Sequence, residues 1–171
     1  TEDGGIWLST SKGYSQRNFA NVWGAKAPMT YELYADIRNP LDLRDIDTEA
    51  FVAEYQDPDT GEWEPTAELR RLSELSGMSV NQLVDIAERF GETTPEGGHL
   101  YEIIRTKEFQ DHLKKNGYDG LRQHESSESV ETFCVFYPER VKKLDPVTYD
   151  EAGNVIPLSQ RFNPQNPDIR F

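Results

Sequence analysis

The sequence predicts an α+β domain with a small helical insertion and an extended C-terminal segment, and three patterns predict it. "TYELYADIR" (residues 30–38) alternates apolar and polar side chains with the period of a half-buried strand. Leu69, Leu72 and Leu75 repeat instead with the period of a helix, and a second such stripe follows directly. Two β-prone runs, 120–124 and 130–137, flank the polar connection "ESSES" as an antiparallel hairpin would. A chain of 171 residues can bury one good core, and its 36% apolar content is sufficient for that.

The elements follow in order. "GIWLS" (5–9) is a short apolar run after two glycines and reads as a buried strand, so close to the first residue given that a further segment is expected upstream. Ser11 or Ser15 can cap a helix that carries Tyr14, Phe19 and Val22. The alternating strand 30–38 places Tyr31, Leu33, Ala35 and Ile37 on one face, and Asn39-Pro40 ends it. A helical stretch is expected near 48–55 on Phe51, Val52 and Tyr55, then a turn-rich loop, "QDPDTGEWEP". Gly77 closes the first leucine helix, and Ser79 with Gln82 forms a capping box for the second, which bears Leu83, Val84, Ala87 and Phe90. These two helices define an inserted lobe over 66–91. One further helix runs from Leu100 through Ile103, Ile104 and Phe109 to Leu113, and Asn116-Gly117 ends it. The hairpin comes next, "PERVKKLDP" leads into turn residues, and 146–171, with Pro157, Pro164 and Pro167 in its final stretch, reads as an extended arm or linker.

Composition limits the function. Thirty-one acids against 18 bases give a net charge of −13, which argues against direct nucleic-acid binding, where Lys and Arg must neutralise phosphates. An acidic surface suits basic protein partners, or imitates DNA. Cys134 is the only cysteine and sits in an apolar strand, so no disulfide forms within the chain and a thiolate nucleophile is not expected. A cytoplasmic protein is the resulting expectation. No stretch approaches the roughly 18 apolar residues of a membrane-spanning helix. No His, Cys or acid cluster has metal-ligand spacing, so no metal is expected.

Three segments, "GGIWLSTSKGYSQRNFA", "YADIRNPLDL" and "GYDGLRQHESSESVETFCVFYPERVKKL", occur in the order of motifs in the ADP-ribosyltransferase domains of phage-like polyvalent proteins, which the chain therefore resembles. The closing "IPLSQRFNPQNPDIRF" is similar to the segment that often follows such domains. "GYDGLRQHE" after a helical insertion is more loosely similar to a phage anti-CRISPR ADP-ribosyltransferase. The matched parts cover about two thirds of the chain and leave the helices of 66–91 unassigned. The resemblance implies a mixed or antiparallel split β-sheet core over residues 1–145. It also implies transfer of ADP-ribose from NAD, as substrate, to a protein target in a bacterial cytosol on behalf of a phage or mobile element.

The residues suit that chemistry. Cleaving the bond between ribose and nicotinamide develops positive charge on the ribose, and a held carboxylate stabilises it much as in glycosidases. The resemblance makes Glu125 the catalytic acid when counted from "GYDG", or Glu131 when counted back from "FCVF". A slip of one residue on a strand reverses a side chain's face, so the two are distinct candidates, with Glu125 favoured and Glu128 third. Trp7 and Phe19 would flank the nicotinamide ring and Ser9 would lie by its carboxamide, although aromatics also fill cores and Ser9 to Ser11 also suit a helix cap. Arg17 and Arg122 are the nearest bases for the NAD diphosphate, because no His or Arg strand motif precedes Trp7. His124, beside Glu125, fits a surface histidine. The acidic charge supports a second reading, a catalytically inactive interaction module on the same fold, and the prolines a third, a spacer.

Overall fold

The computed structural model describes residues 4–23, 30–56, 59–61, 63–90, 98–125, 130–145 and 147–171. Its main sheet holds four strands: β1 (Ile6–Ser9), β3 (Pro40–Asp42), β6 (Gly120–Glu125) and β7 (Val130–Val135). Their spatial order is β1, β7, β6, β3. The β1–β7 and β7–β6 pairs are antiparallel and β6–β3 is parallel, which makes the sheet mixed. Two further pairs split off from it. β2 (Leu33–Ala35) pairs antiparallel with β8 (Val141–Lys143), and β4 (Ala53–Gln56) with β5 (Trp63–Pro65). Five helices complete the described residues: α1 (Lys12–Trp23), α2 (Ala67–Ser76), α3 (Val80–Phe90), α4 (Leu100–Arg105) and α5 (Lys107–Lys115).

The strands 6–9, 120–125 and 130–135 and the helices α1 to α3 lie where the pattern places them, with local chemistry that explains their ends. Ser11 Oγ accepts from Tyr14 N–H at the start of α1. Thr66 Oγ1 caps α2 through Leu69 N–H, and Gly77 ends it at φ 71°, in the left-handed region that favours glycine. Ser79 and Gln82 form the expected capping box, Ser79 N–H donating to Gln82 Oε1 at 3.0 Å and Gln82 N–H to Ser79 Oγ at 3.3 Å.

Four elements depart from expectation. The strand expected over 30–38 is regular only at 33–35, because its partner β8 is three residues long. Residues 53–56 form a strand rather than the end of a helix, since the turn-rich stretch after them folds back and supplies β5 as a partner. Pro40 opens β3 at the sheet edge, where a missing N–H costs no ladder bond. The single helix expected over 100–116 breaks at Thr106, whose extended backbone ends α4 while its hydroxyl caps α5 through Phe109 N–H.

One hydrophobic cluster runs from the main sheet into the helices. Leu41, Leu121 and Cys134 from the sheet join Leu69, Leu72, Leu83 and Ile86 of α2 and α3, Ile103 and Ile104 of α4, and Phe109 and Leu113 of α5. The helices of 66–91 thus share their core with the sheet. The described residues of 145–171 form no helix or strand beyond a short 3-10 turn at Leu158–Gln160, yet they fold back on β8. Lys143 N–H donates to Ile169 C=O, and buried Lys142 donates from Nζ to the carbonyls of Asn166 and Asp168.

Candidate functional site

The site is organised by the alternation of β6 and β7. Their register pairs Leu121 with Cys134, Gln123 with Thr132 and Glu125 with Val130, so these six side chains share one face. The β1–β7 register adds Trp7 opposite Cys134 and Ser9 opposite Thr132. This is the face that the helices cover at its Leu121 end. Glu125, half-buried, lies two residues beyond the buried Gln123, at the end of the strand.

Two neighbours hold the Glu125 carboxylate. Its Oε1 accepts from Thr132 Oγ1 at 3.1 Å and from Gln123 Nε2 at 3.3 Å. Both donors are buried, at 5% and 1% exposure, so few rotamers are open to them. Gln123 Oε1 is buried and has no hydrogen-bond partner among the described residues, an orphan acceptor beside the carboxylate.

Glu131 lies on the opposite face with Arg122 and His124. Its Oε1 accepts from Arg122 Nη2 at 2.5 Å, with Arg44 Nη1 at 3.5 Å and His124 Nε2 at 3.8 Å. The hydrogen bond from the Arg122 guanidinium holds the Glu131 carboxyl below the usual carboxylate range, helped by the charge of Arg44. Arg44 also grips Asp42, whose carboxyl falls to about 2. The cluster is therefore a network of ion pairs, within which the buried Arg122 Nε receives no partner from a described residue.

A cleft of about 640 Å³ lies beside β1, lined among others by Trp7, Ser9, Lys12, Tyr31, Leu33 and Leu144. Trp7 also packs on Tyr101, with ring centroids 5.7 Å apart. Glu125 is outside the lining of this cleft; Thr132, opposite Ser9, stands between them. Arg17 is exposed on α1, its Nη1 lying beside Gly13. Phe19 lies in α1 with its side chain outside the described residues, and Glu128 lies outside them altogether.

The structure thus brings Trp7, Ser9 and Glu125 to one face of the sheet and gathers Arg122 and Glu131 on the other. Gln123, Thr132 and Lys12 went unremarked in the sequence. The parity of the strands marked the first two, since polar residues at inward positions need partners. Cys134 is buried and its thiol is pushed up to about 12 by that burial, which leaves it protonated and unreactive. Among the described residues no group of three or more His, Cys, Asp or Glu side chains could hold a metal ion, and no helix is long and apolar enough to cross a membrane. No protein-family model, curated protein or solved structure matches the chain.

Proposed function

We propose that the protein transfers ADP-ribose from NAD to a protein side chain, with Glu125 as the catalytic carboxylate. The observation that carries this reading is the common face of Trp7, Ser9 and Glu125, together with the two buried donors that fix the carboxylate. Nicotinamide would lie against Trp7 with its carboxamide toward Ser9, and the ribose would reach across Thr132. Two strand spacings of about 4.8 Å separate β1 from β6, a span comparable with nicotinamide joined to ribose.

The bond from ribose C1′ to the pyridinium nitrogen breaks, and its electron pair leaves with neutral nicotinamide. No proton needs to be donated. The acceptor side chain attacks C1′ and loses its proton to solvent. Glu125 opposes the positive charge that develops on the ribose, and its Oε2, which receives no hydrogen bond from a described residue, is available to a ribose hydroxyl. Lys12, on the cleft wall, is better placed for the diphosphate than Arg122, which is engaged by Glu131 on the far face. The sequence resemblance adds the expected setting, a bacterial cytosol and a phage or mobile element.

Nicotinamide release from NAD tests the assignment. Glu125→Gln is expected to lower the rate by about a hundredfold or more, the scale of losing a charge-stabilising group. Glu131→Gln is expected to stay within several-fold of wild type. Wild-type protein that releases no nicotinamide, and whose tryptophan emission does not change with NAD, would sink the reading.

A further inference from the structure

Among the described residues, two unpaired strand edges open onto the cleft. In the β1–β7 ladder Thr10 N–H donates to Glu131 C=O at 3.0 Å, which sets the phase of the pairing. Residues 6, 8 and 10 therefore bond to β7, and the N–H and C=O groups of Trp7 and Ser9 point away from it. In the second sheet Leu144 N–H donates to Glu32 C=O and Asp36 N–H to Arg140 C=O. Residues 32, 34 and 36 are thus engaged with β8, and the main chain of Leu33 is directed to the other side. Trp7, Ser9 and Leu33 all line the one cleft.

Sheet edges are ordinarily blunted by Lys, Pro or a bulge. β1, with the sequence Ile-Trp-Leu-Ser, has none of these and keeps an unbroken register with β7. We propose that the cleft captures an extended, positively charged segment of a partner protein, which adds to β1 as a further strand. A peptide backbone supplies N–H and C=O groups at the two-residue repeat that Trp7 and Ser9 present. Tyr31 and Leu144, 46% and 51% exposed on the cleft wall, offer apolar surface to alternate side chains of that strand. The lining itself balances Lys12 against Glu32, and over the whole chain the excess of 31 acids over 18 bases favours the approach of a cationic segment over an anionic one.

The inference does not rest on the NAD reading. Peptide and nicotinamide would overlap at Trp7 and Ser9, so a bound partner would exclude the nucleotide. The test uses the full chain, labelled with nitrogen-15 and free of NAD, titrated with a short peptide of alternating Val and Lys. Two controls are the same peptide methylated at every backbone amide and a peptide of alternating Val and Glu. The largest amide shifts are expected at Trp7, Ser9 and Leu33, with binding at least tenfold weaker for both controls. Equal binding of the methylated peptide would show association by charge alone and overturn the proposal. So would equal binding of the Val-Glu peptide, shifts centred away from the cleft, or no shifts at about millimolar peptide.

Discussion

Asp119 ties the main sheet to the β2–β8 pair through one side chain. Its carboxylate, 8% exposed, accepts from Arg38 N–H at 2.9 Å, Asn39 N–H at 2.8 Å and Arg140 Nη1 at 2.7 Å. Removing it deprives the half-buried Arg140 guanidinium and two main-chain donors of their acceptor. Asp119→Ala is expected to cost about 3 kcal/mol, or about 6–12 °C in Tm for a chain of this size. Thermal unfolding followed by circular dichroism checks this, and a shift of about 1 °C would exclude the stapling role. Next to it, Gly120 approaches the neighbouring strand so closely that a Cβ would stand 2.6 Å from Cys134 O. The same scale shows what was legible in the site. Trp7 and Ser9 were picked out through the resemblance, and their two-residue spacing on one short strand puts them on the same face. Glu125 and Glu131 were both visible, but the hairpin register was needed to send them to opposite faces. Arg122 was placed by proximity along the chain, although residues 122 and 125 differ by an odd number on one strand and so face opposite ways.

At the scale of elements, the legible pieces carry their own stop signals, and the missed ones depend on distant partners. α2 and α3 have caps written into four or five consecutive residues. β3, β4 and β8 are three or four residues long and have too little pattern to declare themselves. Each exists because another strand offers a ladder. Thr66 does two jobs, since its hydroxyl accepts from Leu69 N–H at 3.1 Å and donates to Phe51 C=O at 2.8 Å. Thr66→Val keeps the shape and removes both bonds, with an expected loss of about 2 kcal/mol. Gly77→Ala forces a Cβ into the left-handed region and is expected to cost about 1 kcal/mol. Urea denaturation with an unchanged slope would read both losses, and a neutral Thr66→Val would remove the cap from the account of α2.

Over the whole molecule, charge sets how stability responds to solution conditions. The net charge of −13 repels itself at neutral pH and shrinks as pH falls toward the isoelectric point near 4.6. Paired carboxylates work the other way. Arg44 holds the Asp42 carboxyl, and Arg170 that of Asp168, at about 2, and Arg122 lowers that of Glu131. A carboxyl depressed in the folded state stabilises above its unfolded value, near 4, and loses that contribution as pH falls through its folded value. Tm is therefore expected to hold or rise from pH 7 to about 5 and to fall steadily below about 4. A Tm that rises all the way down to pH 3 would show these pairs to be without weight. The last stretch of chain belongs to this balance as well. Lys142 is 4% exposed, and burial lowers its ammonium's pKa against the opposing charges of Asp168 and Glu139, while its Nζ donates to the carbonyls of Asn166 and Asp168. Those two carbonyls set a limit for dissecting the protein into fragments: a version cut short of Asn166 leaves a cation facing an empty berth, so any minimal folded piece must keep the proline-bearing tail.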